Sequence, residues 1–102
     1  MSLIHANKDS FEKIINQKIA LVDFWAPWCM PCQMLTPQLE ELSNELPDLI
    51  IAKVNVDDEP ELAMKYNINS IPCLMLFENG NLTNKSLGYM EKDSIIAKFN
   101  LK

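Results

Sequence analysis

The chain has 102 residues, 48% of them apolar and 23% charged, which suits one small soluble domain with a core of its own. Fourteen acidic residues stand against nine lysines and no arginine, for a net charge of −5. That balance excludes a basic face for nucleic acid and disfavours an anionic membrane surface.

In chain order, Ser2 to Asn7 reads as a short edge strand. Asp9 followed by Glu12 has the form of a capping box, opening a helix to about Asn16 with Phe11, Ile14 and Ile15 inward. Ile19 to Trp25 is apolar on both faces, as in a buried central strand. Ala26-Pro27-Trp28 breaks it, and a helix follows from about Cys29 to Leu46. Met34, Leu35, Leu39, Leu42 and Leu46 fall at helical spacing along it, with Pro37 expected to kink it. Leu49 to Val56 is a second buried strand, and Asp57 or Asp58 is the expected cap of a short helix carrying Leu62, Ala63 and Tyr66. Cys73 to Phe77 forms a strand, Glu78-Asn79-Gly80-Asn81 a hairpin turn, and Leu82 to Leu87 the returning strand. A last helix runs from about Lys92 to Leu101. The order β-α-β-α-β-α-β-β-α gives an α/β fold, with two βαβ crossovers supplying parallel neighbours and the hairpin an antiparallel pair.

The chemistry concentrates at Trp28-Cys29-Met30-Pro31-Cys32. Two cysteines at i and i+3 opening a helix share one face, and the helix N-terminus stabilises a thiolate on the first. A thiolate is the attacking species in disulfide exchange. Cys29 is therefore the expected exposed attacker and Cys32 the resolving thiol, with Trp28 an apolar shoulder for substrate. Pro31 suits the first turn, where its missing N–H costs nothing. The same spacing is compatible with half of a zinc site, with His5 and Cys73 as further candidate ligands, or with a structural disulfide. An odd cysteine count does not suit a disulfide framework, and with no secretory signal at the start it points to a reducing cytoplasm.

Two charges interrupt buried strands: Asp23 between Val22 and Phe24, and Lys53 between Ala52 and Val54. Each needs a partner or a task, and strand order could join them as a pair. A desolvated carboxyl has a raised pKa and suits a proton acceptor. The alternatives are a structural ion pair or a lysine stem reaching for solvent.

Asp23-Phe24-Trp25-Ala26-Pro27-Trp28-Cys29-Met30-Pro31-Cys32 resembles the active-site segment of the thioredoxin family. Lys53 in Ala-Lys-Val-Asn-Val-Asp, Tyr66-Asn67-Ile68, Ile71-Pro72, Phe77-Glu78-Asn79-Gly80 and Gly88 extend the likeness over nearly the whole chain. The resemblance implies a single thioredoxin-like domain over residues 1–102, with a central mixed sheet of four to five strands flanked by about four helices. It implies that Cys29 attacks a protein disulfide and that Cys32 resolves the mixed disulfide, transferring two electrons. Asp23 takes the proton of Cys32 through a water, with Lys53 and Pro31 in support. The implied groove is Trp28, Met30, Ile71, Pro72 and Gly88, with Pro72 cis and the Ile71 backbone pairing with substrate. No metal or bound cofactor is implied; electrons come from an NADPH-dependent flavoprotein, thioredoxin reductase, and the unit is a cytoplasmic monomer.

Three departures stand out. Met30-Pro31 replaces the family's usual Gly-Pro, placing a flexible apolar side chain beside the attacking sulfur. Gln33 stands where a lysine or arginine is common, and Cys73 where a threonine is. Cys73 reads either as a small half-buried strand residue or as a thiol near the pair, open to glutathionylation or an alternative disulfide. A same-fold oxidase or isomerase, a binding module without turnover and a structural zinc protein are the competing functional classes.

Overall fold

In the computed structural model, which describes residues 3–102, five strands form one mixed sheet in the order β1-β3-β2-β4-β5. The elements are β1 (Leu3–His5), α1 (Phe11–Ile15), β2 (Ala20–Trp25), α2 (Met30–Glu45) and β3 (Ile50–Asn55). They continue through α3 (Pro60–Lys65), β4 (Cys73–Glu78), β5 (Asn81–Leu87) and α4 (Lys92–Phe99). Ser2, the expected start of the first strand, lies outside the described residues.

β3 pairs in parallel with both β1 and β2, while β4 runs antiparallel to both β2 and β5. β1 and β2 are joined through α1 but are not neighbours, because β3 inserts between them. β2 is thereby central, bonded on both edges.

Side-chain alternation along β2 divides the core in two. Ala20, Val22 and Phe24 join Phe11, Ile15, Leu62 and Phe77 in one cluster, built around α1 and α3. Leu21 joins Leu35, Leu39, Leu42, Ile95 and Phe99 on the other face, under α2 and α4. Asp23 shares the parity of Leu21, so the strand's period of two aims its carboxyl at the α2 side. The first cluster is aromatic at its centre, with Tyr66 edge-on to Phe77 at 5.6 Å and Phe11 against Tyr66 at 5.4 Å.

The element ends depart from the sequence reading for local reasons. No capping box forms at Asp9. Asn7 does the capping instead, its Oδ1 accepting the N–H groups of Asp9 (2.9 Å) and Ser10 (3.0 Å), and its carbonyl the N–H of Phe11. Neither Asp57 nor Asp58 caps α3; the preceding turn is closed by Asn55, whose side chain accepts the Asp57 N–H at 2.9 Å. Met34 is 53% exposed rather than inward, because Leu35, Leu39 and Leu42 already fill the buried stripe of α2. α2 runs on through Pro37, which leaves the Gln33 carbonyl without its helical donor. α4 stops at Phe99, where Asn100 turns left-handed (φ 53°).

The hairpin forms as the Asn-Gly signal demands, with Asn79 at φ 52° and Gly80 at φ 87°. Gly80 also donates to the Ile15 carbonyl at 2.9 Å, tying the turn to the end of α1. A Cβ at Gly80 would land on Asn16 Oδ1. Gly80→Ala is therefore expected to lower unfolding free energy by about 1–3 kcal/mol, read from denaturant melts. An unchanged midpoint would mean that neither the left-handed backbone nor the Asn16 contact constrains the turn.

Candidate active site

β2 ends at Trp25, and the chain turns through Ala26-Pro27-Trp28 before α2 begins. The Cys29 N–H bonds to the Ala26 carbonyl at 3.2 Å, which closes the turn and sets Cys29 at the N-cap of α2. There its sulfur accepts the backbone N–H of Cys32 at 3.3 Å, so the cysteine caps its own helix. The Gln33 amide bonds to the Pro27 carbonyl at 2.6 Å, pinning the turn from the other side. Cys29 and Cys32 are disulfide-bonded, their Cα atoms 5.2 Å apart.

The attacking cysteine is less open than expected. Cys29 is 6% exposed and Cys32 is fully buried. The cover comes from the segment before β4, where Ile71-Pro72 is a cis peptide and the Ile71 carbonyl lies 3.9 Å from the Cys29 sulfur. The chain neighbours of Cys29, Trp28 (71% exposed) and Met30 (65%), are open to solvent. Gly88 is tied to the covering segment. Its φ is 91°, its N–H bonds to the Pro72 carbonyl at 2.8 Å, and a Cβ there would meet nothing. Of the expected groove residues, Ile71 reaches the Cys29 sulfur through its carbonyl, Pro72 follows it and holds Gly88, and Trp28 and Met30 flank Cys29 in the chain.

Asp57, expected from sequence as a helix cap, is a partner of Trp28. Its carboxylate accepts the Trp28 indole N–H at 3.0 Å, holding an otherwise exposed ring. Beside Trp28, a depression of about 310 Å³ is lined by Val56, Ala63, Ile68 and Ile71. An exposed indole can take water as its acceptor, so the sequence carries no signal for this contact.

Behind the disulfide, Asp23 and Lys53 stand in register on β2 and β3. Strand order thus brings the two charges together as expected, and they attract each other, but without a hydrogen bond between them. Neither Asp23 oxygen accepts a hydrogen bond from the described residues. The Lys53 ammonium instead donates to Thr36 Oγ1 at 2.5 Å and sits 4.5 Å from the centre of the Trp25 ring. Burial raises the Asp23 carboxyl to about 7, a rise that the Lys53 charge opposes. Burial also pushes the Lys53 ammonium below its ordinary value, against the attraction of Asp23 and Glu40. Thr36, not singled out from sequence, is the hydrogen-bond partner of that ammonium.

Cys73 is fully packed rather than half-buried. It lies in the α1/α3 core, apart from the small cluster of Ala26, Cys29 and Cys32, and burial pushes its thiol up. Among the described residues no three His, Cys, Asp or Glu side chains are grouped to hold a metal, so His5 and Cys73 do not join the pair in a zinc site.

The thioredoxin family model matches residues 2–100. The chain belongs to the thioredoxin family. It is 44% identical to a thioredoxin of Chlamydia caviae over 90% of each chain. It is 41% identical to a thioredoxin of Bacillus subtilis, over 93% of this chain and 92% of that one. A thioredoxin of Rickettsia bellii is 43% identical over 92% and 91%. The chain is accordingly a thiol–disulfide oxidoreductase with a CxxC pair at Cys29 and Cys32. Thioredoxins bind no cofactor of their own, and no helix among the described residues is long and apolar enough to cross a membrane.

The raised Asp23 pKa has a sign for stability. The folded carboxyl, at about 7, holds its proton more tightly than the unfolded one at 3.8. The Asp23 contribution is therefore fully present below about pH 4 and is lost as pH rises to about 7. Each unit between the two pKa values is worth about 1.4 kcal/mol. Asp23→Asn is expected to remove this slope and to exceed the oxidised parent in stability above neutral pH by a few kcal/mol. Parallel stability–pH curves for the two proteins would contradict it.

Proposed function

We propose that the chain is a general reductant of protein disulfides, in which Cys29 is the nucleophile, Cys32 the resolving thiol and Asp23 the proton acceptor. The observation that carries this reading is the placement of Cys29: N-cap of α2, sulfur on a backbone N–H, and the more accessible of the two. In the dithiol form the same N–H and the helix N-terminus favour a thiolate there.

The thiolate of Cys29 attacks one sulfur of a substrate disulfide. A Cys29–substrate mixed disulfide forms, the substrate's own S–S bond breaks, and the departing thiolate takes a proton from solvent. The Cys32 thiol then gives its proton to the Asp23 carboxylate, through a water, and its sulfur attacks Cys29 Sγ. The mixed disulfide breaks, the second substrate sulfur leaves as a thiolate that takes a proton from solvent, Asp23 returns its proton to solvent, and two electrons have passed from the pair to the substrate. A carboxyl near pH 7 is matched to that proton transfer at neutral pH. Lys53 tunes it from β3, and Pro31 fits the first turn of α2 without wasting a donor.

Substrate lies across Trp28, Met30, Ile71, Pro72 and Gly88, extended, with its backbone against that of Ile71. Met30 replaces a bare glycine edge with a flexible thioether and favours apolar residues flanking the substrate cysteine. The partners are disulfide-bonded proteins and an NADPH-dependent flavoprotein reductase. The compartment is a reducing one, the cytoplasm, and the working unit a monomer; an unpaired Cys73 is at home under reducing conditions.

Reductase-coupled reduction of a disulfide-bonded protein is expected to be lost in Cys29→Ser. Cys32→Ser is expected to accumulate a mixed disulfide with substrate on Cys29, located by peptide mass mapping. An adduct on Cys32 in Cys29→Ser at parental rate, or a couple strongly oxidising against glutathione, would overturn the assignment.

A further inference from the structure

Asp23 and Lys53 are side by side in register in a buried setting, where opposite charges ordinarily close into contact. Here they do not, and the reason lies on α2. Thr36 stands one turn after Cys32, and its hydroxyl donates its single hydrogen to the Cys32 carbonyl at 3.3 Å. With that hydrogen committed, its oxygen presents lone pairs to the interior and accepts the Lys53 ammonium at 2.5 Å. The Trp25 ring, 4.5 Å from the ammonium, supplies a second attraction away from Asp23. The chain of contacts therefore runs from the Lys53 ammonium through Thr36 to the backbone of the resolving cysteine, and bypasses the carboxylate.

We propose that Thr36 is a positioning residue for the proton-transfer step: its hydroxyl anchors Lys53 to α2 and keeps the ammonium from closing onto Asp23, leaving that carboxylate unpaired. The proposal rests on the reading of Asp23 as proton acceptor. Its physical content is a division of labour. Lys53 stays near enough to moderate the cost of ionising Asp23 but is held by Thr36 without a hydrogen bond to it, so the carboxyl keeps a proton affinity useful at neutral pH. If the ammonium closed onto Asp23, the ionised form would be favoured and the acceptor weakened.

The other groups around the pair do not replace Thr36. On α2, Glu40 is exposed and attracts Lys53 from the solvent side, and Cys29 and Cys32 carry no charge while bonded to each other. On β4, Cys73 feels Asp23 but is buried and its thiol pushed up. On β1, His5 pairs in register with Lys53, and Asp58 and Glu59 line the cavity of about 430 Å³ that Lys53 shares with Trp25. Among the described residues Lys53 donates its side-chain hydrogen bond to Thr36 and to none of these.

The test compares Thr36→Ala and Thr36→Ser with the parent in the full chain. The Asp23 carboxyl carbon is followed by NMR titration of the oxidised form, and the pH dependence of mixed-disulfide resolution by single-turnover kinetics. In Thr36→Ala the Asp23 midpoint is expected to fall from about 7 by about one pH unit or more. The resolution limb should move with it, and resolution at neutral pH should slow severalfold. Thr36→Ser, which keeps the hydroxyl, should titrate like the parent. An Asp23 midpoint unmoved in Thr36→Ala overturns the proposal even if turnover slows, since the ammonium then turns to Glu40 or Trp25 and Thr36 serves packing alone. Asp23→Asn separates the two layers. If it retains the limb, Asp23 is not the acceptor and the proposal falls with that reading. If it loses the limb while Thr36→Ala leaves the midpoint in place, the proposal alone falls.

Discussion

Strand β2 is bonded along both edges, to β3 and β4, and buried on both faces, and the reactive part of the molecule hangs from its carboxyl end. A strand so constrained has no freedom to slide, because a one-residue slip would exchange the aromatic core for the leucine core along its whole length. The position of Cys29 is inherited from that rigidity through a short turn held by Cys29 to Ala26 and by Gln33 to Pro27. The covering segment Ile71-Pro72 descends from the same strand, since β4 is its antiparallel neighbour and begins at the next residue. Disulfide chemistry needs two sulfurs and a covering backbone held within a few tenths of an ångström of a working geometry. Here all three are fastened to one strand.

The same strand carries the main thermodynamic cost. A carboxyl buried without a hydrogen bond is something a packed core ordinarily avoids. Replacing it by an isosteric neutral side chain would suit the fold better, which is the usual sign of a position kept for what it does. Lys53 moderates the penalty by proximity alone, and Trp25 and Thr36 take up its ammonium. The polar elements behind the disulfide therefore form a chain with one deliberately open end.

Much of this was legible in the residues. Continuous apolar runs marked β2 and β3, Asn79-Gly80 marked the hairpin, and cysteines three apart after a strand break marked the start of α2. The charges at Asp23 and Lys53 stood out against their neighbours, and their register follows from the parallel pairing. What escaped is tertiary. Nothing in a single sequence says that β3 separates β1 from β2, since both orders satisfy the same crossovers. Met34 falls on the helical spacing of the inner face, but three leucines use up the width available. Asp9 and Asp57 have good capping chemistry yet lose to Asn7 and Asn55, whose side chains sit two residues earlier in each loop. Thr36 and Asp57 matter through partners 17 and 29 residues away, a separation that no local pattern encodes.

Cys73 follows directly on Pro72, the residue beside the disulfide, yet its side chain leaves on the other side of the sheet. Exchange between sulfurs requires the attacking, central and leaving atoms to line up, and Cys73 is enclosed with Phe24 and Val22 in a cluster that holds neither Cys29 nor Cys32. The sheet acts as an insulator between a working couple and a bystander thiol of the same chain. An odd number of cysteines is therefore no obstacle to clean two-electron cycling, because the pleat, and not the cysteine count, decides which sulfurs are in circuit.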